Sequence, residues 1–536
     1  MTLKTPDTPL PRSEPNLHPA TWNPPCSHPT SFSRRHTLHS ILALTASALL
    51  PGCAGASSAS STSTGTGLNK QPIPSGSLTS ASLTVTATSL GTLLSSFVGL
   101  SYEKSSLVES PRLFSASNAN LIALFQLLGP GVLRVGGNSV DRATWTPTGA
   151  GQTTGQIAPN DVDALAAFVK ATGWQCIYAV NLGGSGPSPY TSGSVTATTT
   201  PALAAEEAAY AASAFGSSLL GLEIGNECDL YGSSYYAGAT WNLATFEALW
   251  AQYRAAIVAK TPGIPITGPA DAGNESAWTV PFGQWATKSN ISLLTQHYYR
   301  GNGQSTSSTA ANLVTADSAL VSDLSVLNAG AKAVGVPYRM AECNSYYNGG
   351  ASGVSNSYAS SLWILDYLFN CAQGGATGVN LHGGGNGTGY TPIADSGGAV
   401  VAARPEYYGM LLFSLAGQGT LYTTNLSASG LNVTAYAVKT SAGTNLVLIN
   451  KDSSQNLQVT IRMPGQVSSA TLLQMSQLTA GNTGPDLTAT AGVTLQNAGI
   501  SATGAFAPGS AYNLSASGAL ITCYVPCLSA VLIRTT

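Results

Sequence analysis

The chain has 536 residues, of which 43% are hydrophobic and only 8% charged, with a formal net charge of −2. That length leaves room for a large core and more than one folded unit. Near-neutral charge without a basic cluster argues against a nucleic-acid partner, and no apolar run reaches the roughly 20 residues that a membrane span needs.

The N-terminus reads as an address. Ser33-Arg34-Arg35-His36-Thr37-Leu38 precedes the mostly apolar stretch Ile41–Leu50, too short for a span but suited to a signal core. Paired arginines before such a core resemble a bacterial twin-arginine export signal, so the protein is expected to be exported. Leu50-Pro51-Gly52-Cys53 resembles a lipobox that would place a lipid anchor on Cys53; ordinary cleavage after Ala54-Gly55-Ala56 is the alternative. Residues 54–78 form a Ser/Thr/Gly linker.

Alternation in Ser82-Leu83-Thr84-Val85-Thr86 predicts a strand. From Phe97 the pattern becomes strand, loop, helix, repeated. Apolar runs predict strands at Phe97–Tyr102, Val132–Val135, Cys176–Val180, Leu219–Ile224, Ile264–Thr267, Leu293–Tyr299, Pro337–Ala341 and Thr377–Leu381. Helical spacing predicts Asn118–Leu128, Asp161–Ala171, Ala204–Phe215, Thr245–Ala259 and Ser357–Ala372 between them. Eight strands alternating with helices point to an α/β fold, a (β/α)8 TIM barrel. The competing doubly wound sheet lacks a glycine-rich dinucleotide turn after its first strand. Beyond about Phe413 no glutamate occurs and short alternating strands appear: Leu431–Val438, Asn445–Asn450, Gln458–Met463, Ala519–Tyr524 and Leu528–Ile533. They predict a C-terminal antiparallel β-sandwich. The expected organisation is an extension and export signal over 1–53, a linker over 54–78, a strand over 79–96 joining the sandwich, a barrel over 97–412 and the sandwich over 413–536.

Barrel enzymes keep their chemistry at the carboxyl ends of the strands. In order, the eight ends deliver Glu103, Asn138, Asn181, Glu227, Asp271, His297 with Tyr298, Glu342 and His382. The chain holds eleven glutamates, so two at buried strand ends require a reason. Breaking a glycosidic bond needs an acid for the leaving oxygen and a second carboxylate at the anomeric carbon. Strands four and seven face each other across a barrel mouth, so Glu227 is expected to be the acid/base and Glu342 the nucleophile. Asn226 would hydrogen-bond the sugar 2-hydroxyl, and Tyr298 would donate to Glu342. The negative charge of Glu342, together with burial, should raise the pKa of Glu227. Glu223, inside strand four, is expected to have a buried structural partner. Asp271 and Asn181 read equally as loop caps or substrate contacts, and His297 as a core or a site-lining histidine.

The cysteines form no framework: Cys176, Cys228, Cys343 and Cys371 are isolated, and Cys523 and Cys527 could pair or remain separate thiols. No His/Cys cluster has zinc spacing, so neither a metal nor a cofactor is expected.

The motifs Arg134-Val135-Gly136-Gly137-Asn138, Gly225-Asn226-Glu227, Gln296-His297-Tyr298-Tyr299 and Ala341-Glu342-Cys343-Asn344-Ser345-Tyr346-Tyr347-Asn348-Gly349-Gly350 resemble glycoside hydrolase family 79, which includes β-glucuronidases and heparanases. The resemblance runs from about Leu83 to the C-terminus, and the run after Glu342 is its most specific part. It implies a retaining mechanism with Glu227 as acid/base and Glu342 as nucleophile. It also implies that Tyr347, the backbone N–H groups of Asn348 and Gly349, and Tyr390 grip a uronate carboxylate, and that Glu103, Asn138 and His382 contact sugar hydroxyls. His382 and Asn138 depart from the residues other members carry there. The expected partner is a glucuronic-acid-containing glycan or glycoside, cleaved in exo fashion, with 4-O-methyl-glucuronate as a further glycone. Competing readings are an endo-acting heparanase-like hydrolase, a β-xylosidase or arabinofuranosidase sharing the carboxylate pair, and a non-catalytic carbohydrate-binding surface protein. The scarcity of Lys and Arg, 21 in all, weakens the first of these.

Overall fold

The computed structural model describes residues 69–428, 430–478 and 484–536. The paired arginines Arg34 and Arg35, the lipobox at Cys53 and residues 54–68 of the linker lie outside the described residues; its remainder corrects the expectation of a free tether, with Asn69 donating to Ser510 O at 2.9 Å and Gln71 to Tyr524 O at 2.7 Å. No helix among those described is long and apolar enough to cross a membrane.

Eight parallel strands close into a barrel: Val98–Glu103, Val132–Gly136, Gln175–Val180, Leu219–Ile224, Ile266–Asp271, Leu293–Tyr299, Tyr338–Asn344 and Val379–Gly383. They are numbered one to eight below. Side chains from both faces are buried along each, because helices cover the outside and packed residues fill the inside. Several helices begin at a side-chain cap. Thr200 Oγ1 accepts from Leu203 N ahead of Pro201–Phe215, and Asn242 Oδ1 accepts from Thr245 N ahead of Leu243–Lys260. Gly173 ends Pro159–Thr172 in the left-handed conformation. Helices Val280–Ala286, Ser318–Val334 and Pro405–Ala416 add to those expected from spacing.

The amino end of the barrel is closed by Arg339, on strand seven. Its guanidinium donates to Asn380 Oδ1 at 2.5 Å and to the carbonyls of Phe97 and Val379 at 3.2 Å, with no carboxylate in the arrangement. The site therefore stands at the other end.

Apart from three short two-stranded sheets, the remaining strands form the expected C-terminal, mainly antiparallel β unit, as one continuous eleven-stranded sheet into which Leu78–Leu93 is inserted between Gly419–Ser427 and Asn456–Arg462. The pairing with Gly419–Ser427 is antiparallel, whereas that with Asn456–Arg462 is parallel. The sheet encloses its own apolar cluster, with Leu83, Val85, Leu448, Val459, Ile461 and Val531 among its members. Its other side packs on the barrel through Tyr358–Gln373, where Phe369 stacks on Tyr436 with ring centroids 4.4 Å apart. Asp366 on the same helix accepts from Tyr436 Oη at 2.8 Å and from Lys451. Cys523 and Cys527 are both free thiols.

Candidate active site

Strand four ends in Gly225-Asn226-Glu227, a turn that the chain can make because Gly225 takes φ 82°; a Cβ there would lie 2.6 Å from Cys228 Sγ. Glu227 follows in the left-handed region, φ 50° and ψ 49°, with its N–H donating to Ala270 O at 2.7 Å. A non-glycine residue held there costs about 1–3 kcal/mol and persists where surrounding structure enforces it. The result aims the Glu227 carboxyl across the barrel mouth toward Glu342, on strand seven.

One carboxylate oxygen from each glutamate and a ring nitrogen of His297 all lie within 4.8 Å of one another. The two carboxyls differ sharply in environment. Burial, then the charge of Glu342, pushes Glu227 up to about 8. Burial would also raise Glu342, but His382, His297, Arg134 and the Tyr299 hydroxyl together outweigh it and hold the carboxyl well below the usual carboxylate range. At neutral pH one partner therefore keeps its proton and the other is ionised.

Arg134, on strand two, organises the floor of this pair. It is fully buried; Nη1 donates to Glu342 Oε2 at 2.8 Å, Nε to Glu223 Oε2 at 2.7 Å, and Nη2 to Asn226 Oδ1 at 2.9 Å. Glu223 thus has the structural partner expected of it. By engaging Asn226 through oxygen, Arg134 fixes the amide so that Nδ2 remains a buried donor with no protein acceptor among the described residues. That is the group a sugar hydroxyl would need.

His297 Nδ1 stands 3.1 Å from Glu227 Oε1, and burial lowers the ring to about 4, leaving it neutral. A neutral imidazole can accept from the carboxylic acid or, as the other tautomer, donate to the carboxylate. His382 Nδ1 lies 3.1 Å from Ser101 Oγ and 3.7 Å from Glu342 Oε2, with Nε2 3.9 Å from Glu103 Oε1. Glu103 also accepts from the backbone N–H of Ser139 at 2.8 Å and of Asn138 at 3.3 Å. The Asn138 side chain is exposed. Tyr390 completes the rim, its ring 5.8 Å from that of Tyr299 and 6.0 Å from that of His382. Tyr347 is 37% exposed, and Asn348, Gly349 and Gly350 follow it with φ of 61°, 78° and 90°. This loop meets the one carrying Tyr390, whose N–H donates to Gly349 O at 3.3 Å.

Tyr298 is a correction. Its hydroxyl donates to Asp317 on the outside of the barrel, and its ring stacks on Tyr367 of the helix Tyr358–Gln373. The donor to Glu342 is Tyr299, at 2.8 Å. Side chains alternate along a strand, so residue 299 shares the inward face with His297 and residue 298 does not. That parity was the available signal for Tyr299. For Arg134 the signal was a charge between Leu133 and Val135 in a buried strand, which requires an acidic partner. Asn181 and Asp271 resolve as caps: Asn181 bridges Gly184 N and Ala143 O, each at 2.8 Å, and Asp271 accepts from Thr279 Oγ1 at 2.8 Å.

Glu227, His297 and Glu342 are close enough to share an ion. Both Glu342 oxygens, however, already accept from Arg134 and Tyr299, and a guanidinium 2.8 Å from Glu342 disfavours a second cation there. The donor set suits proton transfer and attack by a carboxylate.

No protein-family profile matches the chain. A β-glucuronidase of Aspergillus niger is 26% identical over 363 residues, covering 61% of this chain; the chain spans 65% of that relative's length. Among solved structures, a 4-O-α-L-rhamnosyl-β-D-glucuronidase from Fusarium oxysporum 12S superposes with a TM-score of 0.68 at 19% identity, over 84% of this chain and 100% of the other. A GH51 arabinofuranosidase from Xanthomonas axonopodis pv. citri gives 0.59 at 16% identity, over 85% of this chain and 100% of the other. The chain is thus a relative of a β-glucuronidase with the fold of barrel glycoside hydrolases.

Proposed function

We propose that the chain is a retaining, exo-acting β-glucuronidase that releases terminal β-linked glucuronic acid, with or without a 4-O-methyl group. One observation carries the reading: two carboxyls within 4.8 Å at facing strand ends, one protonated and one ionised at neutral pH. Retaining glycosidases need carboxyls about 5–5.5 Å apart, whereas inverting ones leave about 6.5–9.5 Å for a water. The partial relationship to a β-glucuronidase supports the choice of glycone.

Glu342 attacks the anomeric carbon while Glu227 gives its proton to the departing glycosidic oxygen, forming a glycosyl ester and a free leaving group. Glu227, now a carboxylate, takes a proton from water as that water attacks the same carbon, and Glu342 leaves ionised as before. Tyr299 and Arg134 favour the ionised nucleophile at the start and end of the cycle. Asn226 Nδ2 supplies a donor at the 2-hydroxyl, a contact that strengthens in the transition state. Tyr347, Tyr390 and the N–H groups of Asn348 and Gly349 would hold the uronate, using uncharged donors that bind an anion without burying a second cation. Glu103, Asn138 and His382 are the groups offered to the other hydroxyls. The leader pattern supports export, by the twin-arginine route, to where such glycans occur.

The test is turnover of a panel of aryl β-glycosides by wild type and Glu342→Gln. Selective hydrolysis of the glucuronide, lost in the variant, is expected; preference for xyloside or arabinoside would remove the uronate reading. Proton NMR of early product should show the β-anomer, and an initial α-anomer would mean inversion.

A further inference from the structure

Most cations near the mouth of the barrel are committed to carboxylates. Arg134 holds Glu223 and Glu342, Arg112 holds Asp161, and Arg300 lies 3.6 Å from Asp317. Arg142, in the turn Asn138–Arg142 that follows strand two, holds none among the described residues. Its Nε is buried without any hydrogen-bond partner. The Tyr190 ring covers one face of the guanidinium, 5.0 Å from Cζ, and the Tyr235 side chain lies beside it.

This arrangement is built into the loops. The neighbouring Asp141 Oδ1 accepts from Leu182 N and Gly183 N at 2.8 Å, and its other oxygen accepts from the Tyr231 hydroxyl. Those bonds fix the turn after strand two against the loops after strands three and four. The Tyr235 ring fills the space where Gly183 would carry a Cβ, and Tyr235 O accepts from Ser188 N at 3.0 Å. With a ring on one face, a tyrosine alongside and Nε buried, the outer edge of the partly exposed guanidinium, formed by its two Nη groups, is the recognition surface. A planar edge with two parallel N–H donors matches a carboxylate.

Position identifies what that carboxylate belongs to. Strands three and four lie across the barrel from seven and eight. The loops of seven and eight carry the groups assigned to the glycone, and the acid Glu227 ends strand four, eight residues before Tyr235. The turn carrying Arg142 is tied to the acid's own turn, because the Tyr231 hydroxyl donates to Asp141 and accepts from Asn226 N at 3.3 Å, which places Arg142 on the leaving-group side of Glu227.

We propose that Arg142, with Tyr190 and Tyr235, forms a leaving-group subsite that takes a single carboxylate, so that the enzyme favours acidic aglycones such as a second uronic acid or a carboxylated aryl group. The proposal deepens, and rests on, the glycosidase reading above. One lone guanidinium suits one anionic group and not a polysulfated chain.

The experiment compares the full-length wild type with Arg142→Ala and Arg142→Lys. The substrates are 4-carboxyphenyl β-glucuronide and its uncharged isostere, 4-carbamoylphenyl β-glucuronide. The ratio of kcat/KM between them should fall about tenfold in Arg142→Ala, with Arg142→Lys intermediate, the loss expected for a hydrogen bond to a charged group. Binding of the free phenols, 4-hydroxybenzoate and 4-hydroxybenzamide, is followed in parallel by NMR titration, which needs no turnover. The benzoate alone should bind about tenfold more weakly to Arg142→Ala. An unchanged ratio, or benzoate binding indifferent to Arg142, overturns the subsite. Absence of glucuronide turnover with Arg142-dependent benzoate binding overturns the glucuronidase reading and leaves the subsite standing. Should Arg142→Ala fail to fold, Arg142→Gln carries the same comparison.

Discussion

Replacing Glu342 by Gln removes one unit of negative charge beside Glu227 while conserving shape, and it isolates the cause of the raised acid. Two unit charges separated by 4.8 Å repel by roughly 3.5 kcal/mol at an effective dielectric of about 20, or about 2.5 pH units. Glu227 stands at about 8 in the intact site, with burial the largest cause and Glu342 the next. In Glu342→Gln it should therefore titrate at roughly 5 to 6, still above an ordinary glutamate because burial persists. Carbon-13 NMR of protein labelled at the glutamate carboxyl can follow this, since the chain has only eleven glutamates. Loss of the Glu227 signal in Glu227→Gln assigns the resonance. If Glu227 titrates within about half a unit of its wild-type value in Glu342→Gln, the two carboxyls are not electrically coupled and the reasoning fails.

Tyr299→Phe removes the hydroxyl that donates to Glu342 and should lower kcat for the glucuronide by about ten- to hundredfold, whereas Tyr298→Phe should change kcat little and lower the melting temperature instead. Equal kinetic losses in both would contradict the alternation along strand six. Glu227, Asp271 and Glu406 are each pushed up to about 8, chiefly by burial. Between the unfolded value near 4.5 and about 8, folded Glu227 keeps a proton that the unfolded chain has released. Its stabilisation is therefore complete below the window and is lost as pH rises through it. Glu227→Gln should accordingly melt above wild type at about pH 8.5 and close to it at about pH 4.5; parallel melting curves would refute this. A Cβ at Gly389 would lie 1.6 Å from Gly349 O, so Gly389→Ala should displace the loop assigned to the uronate and cut kcat/KM at least about tenfold. Gly387→Ala, which meets nothing within 4 Å, is the matched control.

Strand ends were readable because parallel barrel strands are buried on both faces and appear as apolar runs that stop abruptly at a polar residue. Strands four and six carry the same limits in sequence and structure, Leu219–Ile224 and Leu293–Tyr299. An apolar run alone does not show which alternate residues face inward; once His297 is placed at the site, alternation puts Tyr299 there with it and Tyr298 on the other side. The role of Arg134 depends on three partners 89, 92 and 208 residues away, a convergence that only closure of the barrel creates. Ser318–Val334 was legible as well, since Leu320, Leu324, Leu327 and Ala331 recur at helical spacing and are buried; Asp317 caps it while also receiving Tyr298. The second unit was legible as β structure from alternation. Its single eleven-stranded sheet and parallel pair were not, since partners such as Leu83 and Ile461 are remote in the chain.

The insertion of Leu78–Leu93 between two strands that emerge more than 300 residues later bears on how the polypeptide matures. During synthesis this early segment has both hydrogen-bonding edges vacant until the final quarter of the chain leaves the ribosome. Bare edges of that kind recruit other chains, so premature termination or a cut before Gly419 should yield aggregates instead of a soluble, free-standing barrel. Two strands from the last quarter of the chain thus act as the clasp that seals the first.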